Sequence, residues 1–203
     1  MNQLDRPRLI VVAGPNGSGK TSVTEQLLRH VWMDGCVYVN PDNIARDEFG
    51  DWNSPEAVLA AARKAETLRE QCLAEKKSLA FETVLSAPDK IDFLRRAKTA
   101  GFFIRLLFVG TDDPTVNAKR IAQRVMEGGH DVPIAKIISR YDRSIANCVR
   151  AARIADRTYL YDNTIDNAPA KLLVRFVDGR QIKSYGPLNA WAESIAAELS
   201  RTE

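Results

Sequence analysis

The apolar positions of this chain follow two periods in alternation, short unbroken runs and runs spaced at three and four. Residues 9–13 are a brief apolar run of strand type, and residues 22–28 read as a helix. A second short strand is predicted at 36–40, ending at Pro41-Asp42-Asn43, where a turn or helix start is expected. Asn53-Ser54-Pro55-Glu56 places a cap and a proline at the entrance of a helix. That helix runs to about Lys77 with Val58, Ala61, Ala62, Ala65, Leu68 and Cys72 inward. A strand at 78–81 delivers Glu82 and Thr83, and a helix opening at Ala87-Pro88-Asp89 stops at Gly101. Residues 102–109 are apolar except for Arg105, as in a parallel strand covered on both faces. A helix from Asp113-Pro114 carries Ala118, Ile121, Ala122 and Val125, and Gly128-Gly129-His130 breaks it. Asp131-Val132-Pro133 restarts a long helix with Ile134, Ile137, Ile138, Tyr141, Ile145, Cys148, Val149 and Ala152 inward. A strand at 157–161 ends at Asp162-Asn163. The tail pairs residues 171–177 with 181–185 across Asp178-Gly179-Arg180, a hairpin signal, and closes with a helix at 189–200. Such alternation predicts an α/β fold with a mainly parallel sheet flanked by helices, as one domain over residues 1–203. Ligands of parallel sheets bind beyond the carboxyl ends of the strands, so Gly14, Asp42, Glu82 and Asp112 are expected to face one cleft.

The stretch between the first strand and first helix, Gly14-Pro15-Asn16-Gly17-Ser18-Gly19-Lys20-Thr21, fits GxxxxGK[ST], the phosphate-binding P-loop, in the strand-to-helix context that motif needs. Its glycines let the main chain approach a phosphate closely. The turned loop aims backbone N–H groups inward as an anion nest, with the helix N-terminus behind it. Lys20 is expected to reach the outer phosphates, and the Thr21 hydroxyl to bind Mg²⁺. ATP with Mg²⁺ is therefore the expected cofactor pair, held by residues 14–21.

Composition narrows the class. The 203 residues suffice for a sizeable core, and 29 Lys+Arg against 26 Asp+Glu leave a net charge of +3. That surplus suits a protein handling phosphates but gives no basic stripe for nucleic acid, which is not expected as a partner. Three widely spaced cysteines, Cys36, Cys72 and Cys148, argue against a disulfide framework and against zinc, and fit a reducing cytoplasm. No apolar stretch approaches bilayer length and no leader is visible, so no membrane partner is expected.

Among P-loop proteins, no LSGGQ-like signature is present, and no apolar run ends in paired acids followed by a catalytic Glu, as a hydrolysing motor needs. Asn163-Thr164-Ile165-Asp166 imitates the guanine-reading NKxD only faintly. A small phosphotransferase remains, which needs an acceptor base, positive charge at the phosphoryl group, and exclusion of water. Asp42, just past the second strand, is the expected base, with helix N-capping as the bland alternative. Glu82 and Thr83 are expected to bind acceptor hydroxyls, against the alternative of a charge on a strand end. Positive charge is expected from Arg120, Arg124, Lys136 and Arg140, flanking the glycine break in a helix–loop–helix lid at about 115–145. An ordinary solvated helical pair is the competing reading. His130, at the loop tip, is placed to touch phosphate or nucleobase, with a structural or idle histidine as the favoured reading. Two other function classes compete: a nucleotide-dependent switch that binds a protein partner, and a kinase acting on polynucleotide ends.

The order AGPNGSGKT, VNPDNIA, FETVLS, RVMEGGHDVP, ISRYDRS and YLYDN resembles the zeta toxin family of P-loop kinases, over residues 9–163. The resemblance implies transfer of the γ-phosphoryl of ATP to a hydroxyl of a nucleotide-sugar such as UDP-N-acetylglucosamine, and an antitoxin protein as partner. It also implies that Asp42 is the base, Glu82 a substrate contact, and Arg124 the first lid arginine. The second lid cation falls on Arg140, with Lys136 as the alternative, because the separation is longer here than the family's pattern.

Overall fold

The computed structural model describes residues 6–50, 54–126 and 133–201. Its frame is a seven-stranded sheet whose strands, in chain order, are β1 Arg8–Ala13, β2 Val37–Val39, β3 Leu79–Thr83, β4 Phe103–Gly110, β5 Arg157–Asp162, β6 Lys171–Val177 and β7 Arg180–Ser184. In space the order is β2-β3-β1-β4-β5-β6-β7. The first five pair in parallel, and β6 and β7 add antiparallel to the β5 edge. The hairpin turn at Asp178 and Gly179 has φ of 47° and 73°, the paired positive values that match the twist of the flanking strands.

The helices are α1 Lys20–Leu27, α2 Pro41–Glu48, α3 Pro55–Ala74, α4 Pro88–Thr99, α5 Pro114–Met126, α6 Ile134–Ile154 and α7 Ala190–Ser200. A 3-10 turn at Val31–Met33 lies between α1 and β2. Local chemistry explains their starts. Ser54 accepts from the Ala57 N–H with Pro55 behind it, and Asn40 accepts from the N–H groups of Asp42 and Asn43 ahead of Pro41. None of the described helices is long and apolar enough to cross a membrane.

Alternation along the strands gives the sheet two apolar faces. On one, Leu9, Val11, Phe81, Ile104, Leu106, Phe108, Leu160 and Phe176 pack with residues of α3, α4, α6 and α7. On the other, Ile10, Val12, Ala80, Leu107, Val109 and Tyr159 meet Val23 and Leu27 of α1 and Met33 of the 3-10 turn. β4 is buried on both faces, as its nearly unbroken apolar run requires.

The inward faces differ from the sequence expectation at helix beginnings. Val58 and Ala62 near the start of α3 are exposed, while Ala57, Ala61 and Ala65 are buried. In α6, Ile134 and Ile138 are exposed, whereas Ile137, Tyr141, Cys148, Ala151 and Ala152 are buried. Helical spacing marks an apolar face without fixing what lies opposite it, so these residues keep the period yet stay exposed. On α5, Ala122 is exposed and Ile121 and Asn117 are buried. The glycine break at 128–130, His130, and the predicted start at 131–132 lie outside the described residues.

Candidate functional site

The loop between β1 and α1 is built as an anion cradle. Gly17 and Gly19 have φ of 75° and 85°, where a side chain is strained. A Cβ at Gly17 would stand 2.6 Å from the Asn117 carbonyl oxygen, and one at Gly19 2.0 Å from Asn163 Nδ2. Those two asparagines brace the loop from outside. Asn117, buried on α5, donates from Nδ2 to the Asn16 carbonyl at 2.6 Å and pairs with the buried Thr111 hydroxyl. Asn163, at the end of β5, donates to the Ser18 carbonyl at 2.9 Å. With the Asn16 and Ser18 carbonyls tied outward, this part of the loop is left to offer N–H groups inward.

Lys20 opens α1. Its ammonium donates to the carbonyls of Gly14 at 3.0 Å and Pro15 at 2.8 Å, folded onto its own loop. Burial pulls its pKa down to about 8; Glu82 opposes this and Arg124 adds to it. Thr21 Oγ1 lies 3.5 Å from Glu82 Oε2.

The β2 and β3 ends form a second layer. Glu82 Oε1 accepts from the Tyr38 hydroxyl at 2.9 Å, and that hydroxyl accepts from Asn40 Nδ2 at 2.9 Å. Burial and the Glu82 charge push the Tyr38 phenol well above its ordinary value, so it acts as a neutral donor. Asn40 Oδ1 meanwhile caps α2 at the Asp42 N–H, 2.8 Å away. Asn40, not Asp42, is thus the N-cap. Asp42 sits one step inside the first turn, and no hydrogen bond or ion pair among the described residues holds its carboxylate. Thr83 Oγ1 accepts from the Leu85 N–H at 3.1 Å, which stiffens the loop after β3.

These residues border two clefts that meet at the P-loop. The smaller, of about 300 Å³, is lined by Asn16, Gly17, Gly19, Lys20, Thr21, Asn40, Asp42, Glu82, Thr83 and Arg124 among others. The larger, of about 610 Å³, is lined by Gly17, Gly19, Ser22, Gln26, Gln123 and Asn163 together with the loop from Ile165 to Ala170. Arg124, exposed on α5, borders both. A cradle for an anion therefore lies between two chambers, with one arginine at the junction. Among the described residues no group of three His, Cys, Asp or Glu side chains is arranged to hold a metal alone. A divalent ion would draw on the Thr21 hydroxyl and on phosphate oxygens, which suits a nucleotide-borne Mg²⁺.

Not every predicted residue joins this site. Arg140 is half-buried on α6 and is not among the residues lining either cleft; it lies one turn before Ser144, whose hydroxyl donates to the Val84 carbonyl at 2.6 Å on the smaller cleft's wall. Lys136 is exposed on the first turn of α6. Arg120, expected to supply positive charge, borders the larger cleft but is engaged as a clamp. It donates to Asp166 Oδ1 at 2.8 Å and to the Asn163 carbonyl at 2.8 Å, tying α5 to the loop after β5. Asp112 does not face the P-loop cleft. Its N–H donates to Thr164 Oγ1, and its side chain borders a separate cleft with Asp162, Lys171, Tyr185 and Asn189. The Tyr141 hydroxyl donates to the Thr111 carbonyl at 2.6 Å and pins the chain just before Asp112.

Sequence reading missed Tyr38, Asn40 and Asn117, and it set aside Asn163 with Asp166 as a faint imitation of a guanine reader. The available signal was position: Asn163 follows the end of a parallel strand, where ligand loops gather.

The model of the Zeta toxin family matches residues 1–166. An uncharacterized protein of Haemophilus influenzae is 31% identical over 135 residues, covering 66% of this chain and 91% of that protein. Among solved structures, the AvrRxo1-ORF1:AvrRxo1-ORF2 complex with ATP superposes with a TM-score of 0.64 at 20% identity, over 97% of this chain and 65% of that one. The PezAT chromosomal toxin-antitoxin system of Streptococcus pneumoniae superposes with a TM-score of 0.59 at 17% identity, over 96% of this chain and 84% of that one. At such identities these two structures establish the fold. The chain spans just under two thirds of the AvrRxo1 chain's length.

Proposed function

The chain belongs to the zeta toxin family of P-loop kinases, and from that premise we propose that it transfers the γ-phosphoryl of ATP to an alcohol hydroxyl of a nucleotide-sugar such as UDP-N-acetylglucosamine. The observation that carries this reading is the shared wall: Lys20, Thr21, Asp42, Glu82 and Arg124 border one cleft, and the P-loop with Arg124 borders the other. In this reading the larger cleft takes the nucleoside of ATP, the P-loop its phosphates, and the smaller cleft the acceptor.

The Asp42 carboxylate, unencumbered by a protein partner, takes the proton of the acceptor hydroxyl. The freed oxygen attacks the γ-phosphorus as the bond to the β–γ bridging oxygen breaks, and ADP leaves with that electron pair. Lys20 leaves its two loop carbonyls to meet the β- and γ-phosphate oxygens, and the N–H groups of residues 17–21 hold the rest. Arg124, at the junction of the clefts, meets charge on the moving phosphoryl group, and Arg140 is its proposed companion from α6. Glu82 and Thr83 hold acceptor hydroxyls. The Thr21 hydroxyl would hold Mg²⁺, which when bound would supply positive charge to the phosphates. A small antitoxin protein is the proposed partner, as toxin–antitoxin pairing in the PezAT system suggests.

A panel of nucleotide-sugars and free sugars incubated with γ-labelled ATP and Mg²⁺ tests this. Wild-type protein is expected to form an acid-stable labelled phosphomonoester with a nucleotide-sugar, and Lys20→Ala to form none. Label released only as inorganic phosphate, with every acceptor, would contradict a transferase.

A further inference from the structure

The two faces of the sheet are covered unequally. The face that packs on α3, α4, α6 and α7 is closed, while the helical cover described for the other is α1 and the 3-10 turn. Strand register assigns five cations to this second face. Ile10 pairs with Arg105, Arg105 with Arg157, Tyr159 with Arg175, and Arg175 with Lys183; Ile10 and Tyr159 belong to this face's apolar cluster. Arg8 stands two residues before Ile10, on the same side. The five therefore form a stripe that crosses β1, β4, β5, β6 and β7.

Among the described residues no carboxylate forms an ion pair with any of the five. Asp34, at the stripe's β1 end, meets Arg8 through its backbone carbonyl. The Nε groups of Arg105 and Arg175 are buried without a hydrogen-bond partner. Burial holds the Arg105 guanidinium below its ordinary value, Tyr159 opposes this, and the neighbouring Arg157 and Arg8 add to the lowering. Aromatic rings lie among the cations. The Arg105 guanidinium is 4.6 Å from the ring centres of both Trp32 and Phe103, and Lys183 Nζ is 4.9 Å from that of the exposed Tyr185.

From this we infer that the row of half-buried to exposed cations on this face, from Arg8 to Lys183, is a binding surface for single-stranded nucleic acid. A row of cations without carboxylate partners suits a phosphate backbone, and the exposed Tyr185 ring beside Lys183 offers a surface on which a base stacks without sequence preference. A folded acidic protein would match the charge but would leave that ring without a use. The surface is separate from the phosphoryl-transfer site: Arg105 lies five residues before Gly110 along β4, roughly 17 Å at strand rise. It tethers the protein to a strand and does not present that strand to Asp42, so it stands or falls independently of the kinase reading.

Fluorescence anisotropy with labelled twelve-residue oligo(dT) and oligo(U) tests it, on the full chain. Three to five phosphate contacts predict a slope of log affinity on log salt of about −2 to −3.5, hence a loss of roughly 20- to 100-fold between 50 and 200 mM salt. The double variant Arg157→Glu/Lys183→Glu is expected to bind at least about tenfold more weakly, with a slope shallower by about 1.4, while ATP binding and the thermal melt stay as in wild type. Tyr185→Ala is expected to lose about fivefold or more in affinity at unchanged slope. No binding at 50 mM salt, wild-type binding by either variant, or tighter binding of poly-glutamate than of the oligonucleotides would overturn the inference.

Discussion

Lys20 carries the site's positive charge under tension. Its ammonium is held by two carbonyls of its own loop, and burial lowers its pKa to about 8. Phosphates need the charged form, so ATP affinity in the free protein should fall as pH rises through about 8. Binding should restore the proton and take up a fraction of one per ATP near pH 8.5. Titration calorimetry in buffers of differing ionisation enthalpy would detect this; zero uptake would contradict it. The reverse holds for folding: this lowered lysine weakens the fold below about 8, and its cost fades as pH rises toward the unfolded value. Tyr38 is a second residue whose role is testable. It links Glu82 to Asn40 through one hydroxyl. Tyr38→Phe should reduce kcat/KM for the acceptor by about 5- to 30-fold, one to two hydrogen bonds' worth, with the KM for ATP unchanged. A raised KM for ATP instead would mean the network serves the donor. The P-loop was legible in sequence because its eight residues are contiguous and act through main chain. Tyr38 was not, because its meaning depends on Glu82, 44 positions away, with nothing local to mark it.

At the scale of elements, α2 is the piece that aims the proposed base. Asn40 caps it, Pro41 fixes its first turn, and Asp42 follows with its carboxylate unheld. Asn40→Ala should cost about 1 kcal/mol of stability in a denaturant melt and lower turnover as well, because it frees both α2 and the Tyr38 hydroxyl. Wild-type turnover in this variant would remove the cap from the account. The same arithmetic applies to Asn117, the buried brace between α5 and the P-loop. Asn117→Leu leaves the Asn16 carbonyl without its donor and should lose about 1–3 kcal/mol along with ATP affinity. Element types and starts were legible where a cap, a proline or an unbroken apolar run announced them, as at Ser54-Pro55 and along β4. Exposure was less so. Ile134 and Ile138 keep helical spacing yet face solvent, because spacing reports a face and not what lies opposite it.

The whole molecule is larger than its family match. That match ends at residue 166, yet β6 and β7 extend the same sheet, and Trp191, Ala192 and Ile195 of α7 are buried against it. A chain ending at 166 would uncover β5 along its edge and expose Phe108 and Leu160 where β6 and α7 now cover them. It should lose the cooperative thermal transition seen by circular dichroism in the full chain; an intact transition would make the tail an accessory. Alternation of strands and helices made the parallel sheet readable in advance, but not the order of strands across it. Asp112 was expected at the P-loop because it follows a strand, and it borders a separate cleft, its N–H tied to Thr164 Oγ1 in the loop after β5. The cation stripe was equally invisible, since its members are scattered from Arg8 to Lys183 and only register brings them together.

In the proposed mechanism one protein carboxylate, Asp42, drives transfer from a nucleotide held elsewhere. The most direct test compares wild type and Asp42→Ala in ATP binding by calorimetry and in labelled phosphoryl transfer to the best acceptor. In Asp42→Ala, ATP affinity is expected to stay within about threefold of wild type while the transfer rate falls by about 10²- to 10⁴-fold. Transfer at near the wild-type rate, or ATP affinity lost together with transfer, would contradict it.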